Sequence, residues 1–390
     1  MSRAPAALLV GQLPPPPNGM TLTTQALLAS SLAERLRITH VDTSDHRNIS
    51  NVGRLDWRNV LLALMHGLRF AGALVRGRPD VIYIPLARNR LGFLRDLLFL
   101  GPARLSRKPV VVHLHSTSFA EYYKGEIAAV RMLIRLAFGP RTRAIVLAES
   151  LREAFGPLIP PERVYVVSNG VPDIGGASPA ESRLPVVLHM TTLWSEKGVF
   201  EVLDVAARIR TKVPEAQFVL AGPWYEDHER ARAIQEIEQF GLTGHVSLVG
   251  SVDGERKAQL LREAAVFLFP SRYRFECQPL VVLEALAAGT PVVATRIGVL
   301  GETIQHGIEG LLAEVGDLDT LVAGTTALLR DQSLRKRMGV SARNRYERDY
   351  QITDYANRLA DILTGDTAAR TPQPTTARHR GETLAGGECD

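Results

Sequence analysis

The sequence predicts two doubly wound α/β domains in tandem. Short runs rich in valine and isoleucine alternate with amphipathic segments, and the alternation restarts after residue 173. Runs that are apolar on both faces are typical of buried parallel sheets joined by crossover helices. A stretch rich in Gly, Pro, Ser and Ala separates the two series at residues 173–185. We therefore expect a first domain at 1–172, a second at 173–364 and a disordered tail at 365–390.

Each domain is expected to contain a parallel sheet. The first-domain strands are predicted at 7–13, 38–44, 80–85, 109–116, 144–150 and 164–170, and the second-domain strands at 185–192, 216–222, 246–250, 265–270 and 291–295. Open α/β sheets bind ligands beyond the carboxyl ends of their strands. We therefore expect the functional residues in the loops that follow these strands.

Composition bounds the class of protein. The 390 residues are 45% hydrophobic and 22% charged, which is typical of globular chains. Two cysteines exclude a disulfide framework, and no signal peptide, membrane-spanning run or zinc-site spacing is visible. We therefore expect a soluble cytoplasmic protein without a bound metal. The net charge of +5 conceals a basic first half, which predicts different partners for the two domains.

The strongest local pattern is a strand, loop and helix at 269–295. Pro279 suits a first helical position and Gly289 a helix end, so we expect a helix from Pro279 to about Ala288. The backbone N–H groups of Gln278, Leu280 and Val281 would then face the cleft. A helix start of this kind attracts phosphate.

Two glutamates accompany this helix. Glu284 shares its inward apolar face, where a carboxylate needs a partner, and a ribose diol would supply one. Glu276 lies in the preceding loop and could face the sugar of a bound nucleotide sugar. The alternative is that Glu284 forms a buried ion pair while Glu276 is a solvated loop charge. A glycosidase carboxylate pair is disfavoured because glycosidases need no phosphate site.

The segment ECQPLVVLEALAAGTPVVAT resembles the donor-binding half of the retaining GT-B glycosyltransferases of family four. Their signature is two glutamates separated by seven residues and followed by Ala, Gly and Pro-Val-Val. SNGV at 168–171 and SEKGVFEVLDVAARI at 195–209 extend the resemblance over nearly all of 164–363. It is weaker but consistent over 7–125. The resemblance implies a GT-B architecture and no metal requirement.

The resemblance also implies roles for residues in the second domain. Glu284 would bind the donor ribose, and Glu276 would face the transferred sugar. The helix start, represented by Gln278, Pro279, Leu280 and Val281, would hold the diphosphate and the sugar hydroxyls. Lys197 would pair with the diphosphate and ease its departure.

One position departs from the family pattern. Thr192 stands where members usually carry an arginine, five residues before Lys197. Arg272 or Arg274, in the loop before Glu276, is our hypothesis for the missing charge. The alternative for Lys197 is a surface lysine at a helix entry.

Two first-domain residues complete the predicted site. His115, at the end of the fourth predicted strand, matches the histidine that the family places near the transferred sugar, whereas His113 better fits a core histidine. Gly19 follows Asn18 in a tight turn, and the resemblance implies that this turn lies near the donor phosphate or the acceptor. A plain strand–helix turn is an equal alternative for Gly19.

The predicted function is a retaining transfer of sugar from a UDP- or GDP-linked donor to an acceptor hydroxyl. The acceptor is expected to be a glycan or a lipid-linked oligosaccharide of polysaccharide biosynthesis. Two apolar, arginine-bearing stretches, 57–78 and 88–108, predict peripheral contact with the inner face of a membrane, with crossover helices as the alternative. No nucleic-acid motif is present. A nucleotide-sugar epimerase and a non-catalytic sugar-nucleotide-binding regulator remain alternative functions.

Overall fold

The structure, a computed structural model, describes residues 4–15, 19–45, 57–87, 90–175 and 184–366. Asn18 of the predicted turn, most of the predicted linker and nearly all of the predicted tail lie outside these residues.

The first sheet has six parallel strands in the order β2-β1-β3-β4-β5-β6. They are β1 (Ala6–Gly11), β2 (Arg37–Asp42), β3 (Val81–Leu86), β4 (Val110–Leu114), β5 (Thr142–Val146) and β6 (Val164–Val166). The order reverses between β1 and β3, so the loops after these two strands diverge and leave a crevice.

The second sheet is also parallel, in the order β12-β11-β10-β7-β8-β9. Its strands are β7 (Val186–Met190), β8 (Gln217–Ala221), β9 (Val246–Gly250), β10 (Val266–Phe269), β11 (Val292–Thr295) and β12 (Gly310–Ala313). The switch point lies between β7 and β10. Two doubly wound sheets confirm the predicted fold class, although β12 was not predicted from the sequence.

Helices connect the strands and cover both sheets. They are α1 (Gly19–Leu28), α2 (Leu32–Arg35), α3 (Trp57–Gly77), α4 (Arg90–Leu105), α5 (Phe119–Gly125), α6 (Ala128–Ala137), α7 (Val199–Ile209), α8 (Asp227–Gln239), α9 (Gly254–Glu263), α10 (Leu280–Ala287), α11 (Leu300–Thr303), α12 (Leu318–Arg330), α13 (Gln332–Asp349) and α14 (Ile352–Thr364).

The C-terminal helix α14 returns to the first sheet. Its buried residues Tyr355 and Leu359 pack with Leu9 and Leu27 in one hydrophobic cluster. The sequence did not predict this return, because an amphipathic helix shows which of its faces is buried but not which domain covers that face. The helix thus packs on the first sheet although it follows the second domain in sequence.

Candidate active site

The loops that follow β7 and β10 meet at the switch point of the second sheet. Gly198 has a φ of +87°, and a Cβ there would lie 2.3 Å from the carbonyl oxygen of Pro270, so the two loops touch backbone to backbone. This close approach positions Lys197 of the first loop beside Glu276 of the second.

Lys197 and Glu276 form an ion pair. The Lys197 Nζ lies 2.5 Å from Glu276 Oε2, which also accepts a hydrogen bond from the Ser271 hydroxyl at 3.1 Å. The ammonium lies 4.7 Å from the centre of the Tyr273 ring. Glu276 is buried, so the structure contradicts the alternative that it is a solvated loop charge. The pair places a cation and a carboxylate together beyond the end of β10.

Glu284 follows Glu276 by eight residues and lies on the buried face of α10. Its Oε1 accepts a hydrogen bond from Lys257 Nζ of α9 at 2.6 Å, as the ion-pair alternative anticipated. Its Oε2 is buried and has no hydrogen-bond partner in the described part of the chain. Burial raises the pKa of Glu284, and the nearby Lys257 lowers it less than burial raises it. A buried oxygen without a partner is costly, and a ligand hydroxyl would satisfy it.

The start of α10 differs by one residue from the prediction. Pro279 precedes the helix, with φ −68° and ψ 125°, and Leu280 is the first helical residue. Pro279 carries no N–H group, so it cannot donate to a phosphate. The amides of Leu280 and Val281 belong to the first turn, where no helical carbonyl is available to accept from them.

The Gln278 side chain forms a hydrogen bond between the two domains. Its Oε1 accepts from the backbone N–H of Asn169 at 2.8 Å, and its Nε2 donates to the Thr303 hydroxyl at 3.3 Å. The side chain is thus engaged with protein, and the predicted phosphate contact can involve only the backbone amide of Gln278.

Arg272 and Arg274 each face another carboxylate. Arg272 Nε lies 3.4 Å from Glu201 Oε1, and Arg274 Nη2 lies 3.4 Å from Glu121 Oε2 of the first domain. Thr192 is half-buried in the loop that leads to Lys197. Arg272 Nε also donates to the carbonyl oxygen of Ser195, three residues after Thr192, at 3.4 Å. The replacement of the family's arginine by Arg272 or Arg274 stays a hypothesis.

His115 lines a small cavity in the first domain with Tyr83 of β3 and with Met20, Thr23 and Thr24 of α1. Its ring centre lies 3.9 Å from that of His113. Burial lowers the pKa of His115 to about 4, so the imidazole is neutral at pH 7. The buried His113 bonds the Tyr83 hydroxyl through Nδ1 at 2.8 Å, as expected of a core histidine.

Gly19 lies where the two domains approach each other. It is the first residue of α1, and a Cβ there would lie 4.0 Å from Leu280 Cδ1 at the start of α10. Its φ is not in the left-handed region, so the conformation does not demand glycine. The position nevertheless brings the start of α1 next to the predicted phosphate site.

The sequence reasoning missed two residues that shape the site. Lys257, the partner of Glu284, lies on another helix and belongs to no motif. Gly298 has a φ of +58°, and a Cβ there would lie 2.5 Å from the carbonyl oxygen of Glu276. The contact of Gly298 with the Glu276 loop is visible only in three dimensions.

Comparison with known proteins agrees with this geometry. Residues 174–345 match the family described as "Glycosyl transferases group 1". Most of the second domain is therefore similar to this family. The match includes Lys197, Lys257, Glu276 and Glu284.

Curated relatives carry glycosyltransferase names. The chain is 27% identical over 343 residues to a glycogen synthase of Mycobacterium tuberculosis. The aligned region covers 80% of this chain and 77% of that protein. It is 31% identical over 193 residues to a GDP-mannose-dependent alpha-(1-6)-phosphatidylinositol monomannoside mannosyltransferase of the same species. That second match covers 48% of this chain and 49% of the relative, so the chain matches only about half of that protein.

Solved structures share the fold over both domains of this chain. The Anabaena HepE complex with UDP has a TM-score of 0.69 at 18% identity, covering 92% of this chain and 100% of that one. A sucrose-phosphate synthase from Thermosynechococcus elongatus has a TM-score of 0.71 at 19% identity, covering 94% and 100%. The two-domain GT-B architecture is therefore established for both halves.

Proposed function

We propose that the protein transfers a sugar, with retention of anomeric configuration, from a nucleotide diphosphate sugar to an acceptor hydroxyl. The observation that carries this proposal is the buried, unpartnered Oε2 of Glu284 on the inner face of α10. A ribose hydroxyl donating to this oxygen would satisfy it. The relatives that use nucleotide sugars support the same assignment.

The diphosphate would lie between Lys197 and the first turn of α10. The Lys197 ammonium and the amides of Leu280 and Val281 are donors suited to phosphate oxygens. During transfer the bond between the anomeric carbon and the phosphate oxygen breaks, and its electron pair stays on the diphosphate. Stabilising that charge is the contribution of these donors in either a front-face or a covalent route.

Glu276 and His115 would contact the transferred sugar. Glu276 is held by Lys197 and Ser271, so its orientation is set before the sugar binds. Neutral His115 can donate or accept one hydrogen bond but cannot supply a permanent positive charge. The sugar-facing groups would thus select hydroxyl positions, while the charge stabilisation comes from Lys197 and the helix.

The acceptor is proposed to be a lipid-linked oligosaccharide bound mainly by the first domain, at the cytoplasmic face of a membrane. The basic charge of residues 1–173 supports an anionic acceptor such as a diphosphate-linked lipid. A soluble glycan would bind the same cleft without needing this charge.

The test is a transfer assay with purified protein and a panel of UDP- and GDP-linked sugars, with and without acceptor. We expect nucleoside diphosphate release to depend on acceptor, and proton NMR to show the donor's anomeric configuration in the product. Lys197→Met should abolish release, whereas Lys212→Met, an exposed lysine of the same domain, should not. Conversion of the donor sugar without any acceptor would favour an epimerase and contradict the proposal.

A further inference from the structure

The helices α3, α4 and α6 form an outer layer on one face of the first sheet. α3 packs along α4, and α4 packs along α6. All three turn large apolar side chains to solvent, and the exposed residues are Trp57, Val60, Leu61, Leu64, Met65, Leu68 and Val75 of α3, Leu91, Leu94 and Leu105 of α4, and Met132, Leu133 and Leu136 of α6. We call this surface the α3/α4/α6 face. So many exposed apolar residues on adjoining helices indicate an interaction surface.

The exposed residues of α6 form a stripe. Met132, Leu133 and Leu136 have the spacing of one helical face, and Leu136 is 59% exposed. Ile134 and Ala137 are buried on the other side of the helix. A surface helix of a soluble domain normally carries polar residues on its outer side. The outward stripe of α6 is therefore unexplained by packing among the residues that the structure describes.

α3 repeats the pattern over a greater length. Leu61, Leu64 and Leu68 face solvent, and Leu68 is 75% exposed, while His66 and Phe70 are buried against the domain. Within the described ranges, α3 is the one helix that is long and apolar enough to cross a membrane. Only 17% of its most apolar 18-residue stretch is buried in the protein. In sequence α3 lies between β2 and β3, and it packs on α4. The helix therefore lies along the surface of the first domain.

The charges of the α3/α4/α6 face have one sign. The three helices carry eight arginines and a single acidic residue, Asp96. Asp96 is buried and paired with Arg95 at 2.8 Å, so it contributes no exposed negative charge. Beside α6, an open groove adds Lys124 of α5 to Arg131 and Arg135. Arg90 of α4 pairs with Glu126, between α5 and α6, at 2.6 Å. The other exposed charges of the three helices are cationic, so this apolar surface is complementary to an anionic one.

We propose that the α3/α4/α6 face docks on an anionic lipid bilayer. The apolar side chains would enter the boundary between headgroups and acyl chains, and the arginines would contact lipid phosphates. A second copy of the same face is disfavoured, because it would bring arginines against arginines. The proposal does not rest on the enzymatic activity, although it places the cleft near a lipid-linked acceptor.

The docking face lies close to the cleft. α5 immediately precedes α6, and its Glu121 reaches Arg274 in the loop that carries Glu276. Thr117, just before α5, lies 3.5 Å from the carbonyl oxygen of Glu276. A bilayer under α6 would therefore be within a short distance of the predicted sugar site.

The test is co-sedimentation of the full chain, without nucleotide or acceptor, with vesicles of phosphatidylcholine alone and of phosphatidylcholine mixed with phosphatidylglycerol. We expect binding to the mixed vesicles only, weakened by salt. Met132→Ser/Leu133→Ser/Leu136→Ser should lose most of the binding. Arg131→Gln/Arg135→Gln should weaken it by about fivefold per arginine. Because the replaced α6 side chains are exposed, circular dichroism should show that both variants remain folded.

The matched control is Ile234→Ser/Val340→Ser, which removes exposed apolar side chains from the second domain. It should bind mixed vesicles like the unmodified protein. Equal losses of vesicle binding in the control and the α6 variant would overturn the proposal. The same holds if the unmodified protein does not bind mixed vesicles, or if it self-associates through this face instead. Since the assay contains no sugar donor, its failure is distinct from a failure of the proposed transfer reaction.

Discussion

The ammonium of Lys197 lies 2.5 Å from a carboxylate oxygen of Glu276, although 79 residues separate them in sequence. Each follows a strand at the switch point of the second sheet, and each loop is in contact with the other. The pair is preorganised: the proposed donor to the departing phosphate and the carboxylate proposed to face the sugar orient one another before any ligand binds. A bound diphosphate would compete with Glu276 for the same ammonium.

Lys197→Met should destabilise the protein, because it leaves the Glu276 carboxylate buried with only Ser271 beside it. The expected loss in free energy of unfolding is about 3 kcal/mol, the cost of breaking a buried pair from one side. Lys197→Met/Glu276→Gln should recover most of this loss, since no unpaired charge remains. Denaturant unfolding of the unmodified protein, Lys197→Met, Glu276→Gln and the double variant measures this coupling. Strictly additive effects would show that the pair contributes no interaction energy.

Gly298→Ala should displace the loop that carries Glu276. The new Cβ would lie 2.5 Å from the Glu276 carbonyl oxygen and 2.7 Å from that of Cys277, in a backbone conformation that already disfavours alanine. We expect a marked loss of transfer activity and of melting temperature. Gly307→Ala is the control, because φ is +84° there and the space is open. It should cost about 1–2 kcal/mol and spare activity; equal activities for the two variants would contradict the positioning role.

His189 should make the protein sensitive to acid. It is buried beneath the site, its Nδ1 bonds the Leu268 carbonyl at 3.0 Å, and burial lowers its pKa from 6.5 to about 4. The unfolded chain therefore binds this proton at higher pH than the folded protein does. The stability that His189 contributes is present above pH 6.5 and is lost as the pH falls toward 4.

His189→Gln should remove this part of the pH dependence. Melting temperatures from pH 8 to pH 4 should fall less steeply below pH 6.5 for His189→Gln than for the unmodified protein. His228→Gln, at an exposed position of the same domain, should leave the profile unchanged. Parallel profiles for His189→Gln and the unmodified protein would contradict the assignment.

The sequence sufficed for the elements whose signals are local. The apolar runs of β1 to β11 predicted the strands, and the proline and glycine that bracket α10 predicted that helix to within one residue at each end. β12 was missed because GLLA is a four-residue apolar run without β-branched residues, which a helix or loop could equally contain.

The contacts between distant segments could not be predicted in the same way. Nothing in the spacing of α9 shows that Lys257 pairs with Glu284, because the pairing depends on how two helices pack. The same holds for Gln278, whose side chain bonds Asn169 of the first domain. The roles of Glu276, Glu284 and Lys197 toward a ligand stay predictions, while their positions relative to one another are now defined.

The most direct test of the account is nucleotide binding by the Glu284 site. Thermal stabilisation by UDP, GDP and ADP should be measured for the unmodified protein, Glu284→Gln and the control Glu255→Gln, whose exposed carboxylate pairs with Arg262. We predict that one nucleotide series stabilises the unmodified protein. The affinity of Glu284→Gln for that nucleotide should be about 10- to 100-fold weaker, as expected for lost hydrogen bonds to a charged group. The affinity of Glu255→Gln should not change. Unaltered nucleotide affinity in Glu284→Gln would contradict the proposed donor site.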